Sequence, residues 1–183
     1  MTQALSQAPD AVAASSEPAM LTRIWQLLEQ VCDPEIPVIS LLDLGVVRDV
    51  RPTGQGWQVV ITPTYSGCPA MSQMADDIVS TLAAAGVTVQ VSTQLAPAWS
   101  TDWISEAGRR KLRDYGIAPP GPRPVGGSRT LRFMPPAPPA RDVPCPRCGS
   151  GLTQETSHFG STACKALYRC LQCREPFDYF KPY

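Results

Sequence analysis

The chain has 183 residues, 43% of them hydrophobic and 17% charged, and its 16 basic and 16 acidic side chains balance to a formal net charge of +0. That balance speaks against a general nucleic-acid binder, which carries a basic surplus, so no nucleic-acid partner is expected. The length suffices for one packed core plus a small satellite module, and no stretch reaches the roughly 18 apolar residues of a membrane span.

Residues 1–19 (MTQALSQAPDAVAASSEPA) have no basic start, no continuous apolar run and no helical periodicity, which predicts a flexible tail. Leu21, Ile24, Leu27, Leu28 and Val31 then repeat at helical spacing. The first helix should end near Cys32, because Asp33-Pro34 forces extended backbone. Strand patterns follow at 46–50 and 57–62, and the Pro52, Gly54 and Gly56 between them suit a hairpin. A second helix is expected from Pro69, with Met71, Met74, Ile78 and Leu82 as its buried face and Gly86 as its stop. Val87, Val89 and Val91 alternate as a third strand, and a last helix is expected over 102–115. Its Arg109, Arg110, Lys111 and Arg113 would scatter around the helix, the pattern of a solvated surface rather than a binding stripe. The fold class is therefore α/β (α+β): a small mixed sheet covered by helices over residues 20–117.

Nine prolines from Ala118 to Pro144 inclusive, with Gly126 and Gly127, predict a semi-extended linker over 118–143, within which 131–134 could add an edge strand. Residues 144–183 carry the strongest chemical signal. Cys145 and Cys148 form one CxxC knuckle and Cys170 and Cys173 another, with 21 residues between them (149–169), enough for a hairpin that folds back to complete a tetrahedral S4 shell. A structural zinc ribbon is expected, since S4 coordination suits zinc and leaves no open position for substrate. Removing the metal should unfold the ribbon and spare the first domain. With four cysteines filling the shell, His158 and Cys164 are assigned to ribbon packing. The odd count of seven cysteines and their paired spacing fit metal binding in a reducing cytoplasm better than a disulfide framework.

Cys68 is the other residue that asks for chemistry. It sits in the turn Tyr65-Ser66-Gly67-Cys68-Pro69, ahead of a helix whose N-terminus would favour thiolate. A cysteine hydrolase would need a histidine base, and the one histidine lies in the ribbon. A loop phosphatase would need an arginine, and residues 69–75 hold none. A packing residue and a redox thiol remain open alternatives, but among reactive roles a soft-metal ligand survives best.

Asp33-Pro34-Glu35-Ile36-Pro37, Asp43-Leu44-Gly45-Val46-Val47 and residues 64–69 with their Gly-Cys-Pro resemble the small metal-sulfur cluster biosynthesis domain of cytosolic iron-sulfur targeting factors and the bacterial Suf-operon T protein. That likeness covers about residues 20–95. Leu95-Ala96-Pro97-Ala98-Trp99, Trp103-Ile104, residues 115–120, residues 159–170 and Phe177-Asp178-Tyr179-Phe180 are similar to the PaaD family, the D components associated with bacterial phenylacetyl-CoA epoxidase. Relatives often carry a further cysteine near the C-terminus, where this chain has Lys181-Pro182-Tyr183.

The resemblance implies a non-enzymatic accessory factor that delivers or repairs an iron-sulfur or iron centre. Its partners would be the di-iron oxygenase subunit, the iron-sulfur reductase subunit, or both. The alternative is a structural subunit of the epoxidase complex without a delivery role. The oligomeric state, monomer or homodimer, stays open. The residues carried over are Cys68, as ligand of a transient iron or iron-sulfur cluster, with Asp33, Glu35 and Asp43 as acidic neighbours. Asp33 and Asp43 also read as ordinary turn and cap residues, whereas Glu35, charged and set between two prolines, is harder to explain that way.

Overall fold

The computed structural model describes residues 13–121 and 143–183. The first twelve residues and most of the expected linker, including 131–134, lie outside the described residues.

Helix α1 (Ala13–Leu28) begins inside the expected tail, because its alanine-rich start has high helical propensity. Pro18 removes only one intrahelical donor, and the Thr22 hydroxyl donates back to the Pro18 carbonyl at 3.0 Å. Ile24 and Leu28 are fully buried. The helix stops earlier than the periodicity suggests, and Cys32 belongs instead to strand β1 (Cys32–Asp33), which pairs antiparallel with β2 (Ile36–Ser40). Asp33 closes this small hairpin, its Oδ1 accepting from the amides of Glu35 (2.7 Å) and Ile36 (3.1 Å). Pro34 and Pro37 hide the hairpin from pattern reading.

The main sheet is mixed, as expected. β3 (Val47–Thr53) and β4 (Gly56–Ile61) form an antiparallel hairpin, and β5 (Val89–Thr93) joins β4 in parallel after the crossover helix α2 (Met71–Ala84). Met74, Ile78 and Leu82 face the core, each burial being worth about 1.5–3 kcal/mol. α1 packs on α2 and β3, which covers one face. Helix α3 (Glu106–Tyr115) is shorter than expected. A 3-10 turn (Thr101–Trp103) precedes it, the Ser105 hydroxyl caps it by accepting from the Gly108 amide at 2.9 Å, and Gly116, in the left-handed region, ends it.

The Asp43-Leu44-Gly45 motif has a packing reason. Gly45 adopts φ +71°, and a Cβ there would lie 2.7 Å from the Trp103 carbonyl oxygen. The Trp99 indole donates to the Leu44 carbonyl at 3.1 Å, so the 95–104 segment is tied to this turn.

The ribbon is not a free satellite. Its strands β7 (Thr153–Ser157), β8 (Lys165–Cys170) and β9 (Pro176–Phe180) continue into β6 (Ile117–Ala118) of the first domain, giving one four-stranded sheet in the order β6-β9-β8-β7. Phe180, 1% exposed, and Cys164 enter the main core, where Phe180 meets Trp99 at 5.9 Å between ring centroids. The ribbon keeps a small core of its own around Tyr168, Phe177 and Tyr179, and it also contributes Cys164 and Phe180 to the main core. Two residues of β6 are too short a strand to read from sequence. Among the described residues, no helix is long and apolar enough to cross a membrane.

Candidate metal sites

The first site is the predicted one. Cys145 and Cys148 lie on the turn before β7, Cys170 ends β8 and Cys173 lies on the turn between β8 and β9. Their sulfurs all fall within 4.8 Å of one another, with Cys145–Cys173 at 3.7 Å and Cys148–Cys170 at 3.6 Å. A tetrahedral ion with metal–sulfur bonds of about 2.3 Å needs sulfurs roughly 3.8 Å apart, so the donor set and its spacing fit zinc. The Cys173 amide donates to Cys170 Sγ at 3.4 Å and heads the causes that pull this thiol down to about 6, while the crowded neighbouring sulfurs push Cys173 up to about 12. His158 stays outside the shell, exposed and 3.2 Å from Glu155.

The second site surrounds Cys68. The chain reaches it from β4 through a turn in which the Cys68 amide donates to the Tyr65 carbonyl at 3.2 Å. α2 starts at Met71, with Ala70 rather than Cys68 at its N-cap and no side-chain cap. Accordingly the expected thiolate is corrected. Burial pushes the Cys68 thiol up, and the charges of Glu35 and Asp33 push it further, outweighing hydrogen bonds from the Ala70 amide and the Tyr65 phenol. Tyr65 is itself pushed up to about 12, by burial first and then by Cys68, Cys164 and Glu35 around it.

The two nearer carboxylates differ in role. Asp33 is buried (6% exposed), spends one oxygen on the hairpin turn, and is raised chiefly by desolvation, with Lys165 opposing. Glu35 is raised by partial burial and by Asp33, and among the described residues its carboxylate has no hydrogen-bond or ion-pair partner. Asp43 does not join them. It accepts from the Ser105 hydroxyl and pairs with Lys111 at 2.6 Å. Burial alone would raise its carboxyl, but these bonds hold it below the usual range, which marks a structural tie between the turn and α3. Arg109 is similarly engaged, donating to the carbonyls of Pro120 and Thr101, both at 2.7 Å.

A second thiol is influenced by the same carboxylates. Cys164, just before β8, is buried as ribbon packing requires, yet its thiol is raised first by desolvation and then by Glu35 and Asp33. Ninety-six positions separate the two cysteines along the chain (164 − 68), and no local pattern connects them. The charges of Glu35 and Asp33 act on both thiols.

Comparison with known proteins gives the context. The family model described as "Iron-sulfur cluster assembly protein" matches residues 21–93, and that described as "PaaD zinc beta ribbon domain" matches residues 136–181. The chain is 50% identical over 169 residues, covering 92% of this chain and 96% of the relative, to the proposed D component of the 1,2-phenylacetyl-CoA epoxidase of Escherichia coli K12. This chain belongs to the PaaD family. Its first domain is also 32% identical over 91 residues to the Fe-S protein maturation auxiliary factor YitW of Bacillus subtilis, covering 49% of this chain and 86% of that one. A crystal structure of a DUF59 domain from Bacillus anthracis superposes with a TM-score of 0.50 at 27% identity, over 54% of this chain and 96% of that one. In this chain an iron-sulfur-assembly-type domain and a zinc-ribbon domain are joined through the β6–β9 pairing.

Proposed function

We propose that this protein is a cytoplasmic, non-catalytic maturation factor of the phenylacetyl-CoA epoxidase system, which assists assembly or repair of an iron-sulfur or di-iron centre in the oxygenase or reductase subunit. The observation that carries this reading is the contrast between its two cysteine sites. The Cys145/Cys148/Cys170/Cys173 cage is closed and holds zinc for stability. The Cys68 thiol is half-buried at a loop edge, under the influence of the Glu35 charge, on the domain that resembles iron-sulfur assembly proteins.

In this reading iron or a cluster is the substrate, bound transiently and passed on. Cys68 is the transfer ligand, and Glu35 supplies local negative charge that draws a cation in. Asp33 holds the hairpin that presents Glu35. A raised Cys68 pKa suits transience, because the proton competes with the metal and returns to the sulfur as cargo leaves.

The alternative, a component that only scaffolds the complex, is favoured by the name of its Escherichia coli relative. Cys68→Ala separates the two. Losing one half-buried sulfur at a loop edge costs about 1 kcal/mol, so the variant should fold and accumulate. Cells relying on it should lose epoxidase activity; unimpaired growth on phenylacetate would leave only the scaffolding role.

A further inference from the structure

We propose that the cavity at the carboxyl ends of β4 and β5 is a binding site for an uncharged aromatic group with a hydrogen-bonding tip. That chemistry is shared by a tyrosine side chain of a client protein, one of the partner subunits, and by a free phenol. The site itself stands apart from the metal role of Cys68, and only its use in client recognition rests on that role.

β4 and β5 run parallel, so the segments that leave them, 62–66 and 95–99, emerge at the same end of the sheet. Crevices outside the carboxyl ends of parallel strands are where open α/β sheets bind ligands. Here the two segments enclose a cavity of about 420 Å³, with Tyr183 as a further wall. The walls are set before any ligand arrives. The Trp99 indole is pinned to the Leu44 carbonyl at 3.1 Å, and its ring stands edge-on to Tyr183 with 6.4 Å between centroids. Tyr183 is held at both ends: its main-chain oxygen accepts from the Thr101 amide at 3.3 Å, and its hydroxyl donates to the Ala163 carbonyl at 3.3 Å.

The lining selects the ligand. None of the described residues around the cavity carries a charged side chain, so a carboxylate or phosphate would leave water without a counter-charge. Trp99, Tyr65 and Tyr183 present rings, and Leu95, 62% exposed, adds an apolar rim, which suits a flat aromatic guest. The polar requirement comes from Thr62. It lines the cavity at 1% exposure, and its buried Oγ1 has no hydrogen-bond partner among the described residues. A guest hydroxyl would satisfy it, directly or through one trapped water. Tyr65 and Ser66 join the cavity to the loop of the transfer ligand, since the Cys68 amide donates to the Tyr65 carbonyl at 3.2 Å. An aromatic side chain seated here would hold a client beside Cys68.

4-Methylphenol, the tyrosine side chain as a free molecule, is the probe, and toluene, which lacks the hydroxyl, is its control. Each is titrated into full-length zinc-loaded protein while the indole N–H resonance of Trp99 is followed. 4-Methylphenol should shift that resonance and saturate with a dissociation constant of about 1 mM or tighter. Thr62→Val keeps the volume and loses the hydroxyl, so it should weaken 4-methylphenol about fivefold and leave toluene unchanged. Ala98→Phe, at an exposed lining position, should fill the cavity and abolish both. Cys68→Ala should bind like wild type, so failure of the metal-transfer reading leaves this test standing. Purified oxygenase or reductase subunit then identifies the source: displacement of 4-methylphenol assigns the site to a client side chain, and continued binding assigns it to a free phenol. An unshifted Trp99 resonance, binding that survives Ala98→Phe, or a Thr62→Val effect that is absent or shared equally by toluene overturns the proposal.

Discussion

Phe180→Ala tests whether the ribbon and the first domain fold as one unit. Phe180 lies on β9, in the ribbon, yet it is 1% exposed within the core of the first domain and packs against Trp99. Truncating a buried phenylalanine costs about 3–5 kcal/mol, part of it the aromatic pair. All four tryptophans (25, 57, 99 and 103) precede the linker, so the midpoint of their fluorescence transition follows unfolding of the first domain, although the Trp99 signal also senses its Phe180 contact. With a urea slope of about 2 kcal/mol/M, the substitution should lower the midpoint of the tryptophan transition by about 1.5–2.5 M. A tethered, independently folded ribbon would leave that midpoint in place. A shift worth less than about 0.5 kcal/mol, in protein that keeps its zinc, would refute the shared core.

Two further outcomes follow from the same geometry. Cys148→Ser should lose the ribbon metal and also destabilise the tryptophan transition, because β6, β9 and Phe180 couple the halves; element analysis and denaturation measure both effects. Cys68 should alkylate more slowly than an unstructured cysteine at pH 7 and accelerate as pH rises past the ordinary thiol value, and Glu35→Gln should lower that threshold, as read by iodoacetamide rates. The sign for stability is fixed by the same shift. With the folded pKa raised, the native state retains the Cys68 proton longer than the unfolded chain, so its contribution is complete below the unfolded thiol value and is lost as pH climbs through the folded one.

The elements read most clearly from sequence are those with strong local signals. The two CxxC knuckles fix the ribbon site to the residue. The apolar spacing from Met71 to Leu82 gives α2, and Pro52, Gly54 and Gly56 mark the β3–β4 turn. The β1–β2 hairpin escaped because Pro34 and Pro37 break its alternation, and α1 began early because alanine propensity outweighs one proline. The Cys68 site was half legible. Its position beside a helix suggested thiolate, but burial and two carboxylates, one of them reached through the Asp33 turn, reverse the shift. Asp43 was named for its motif, and only the fold shows that Ser105 and Lys111 consume it. Cys164 and the docked ribbon depend on contacts between distant parts of the chain, which no window of sequence reports.

The central claim is that this chain loads metal centres in its partners. It is tested most directly by purifying the epoxidase oxygenase and reductase from cells with the wild-type chain, with Cys68→Ala, and without the chain, and measuring iron and acid-labile sulfide in each. One of the two partners should be underloaded without the chain and equally so with Cys68→Ala, while its protein level holds. Full loading of both partners in all three strains would contradict the claim.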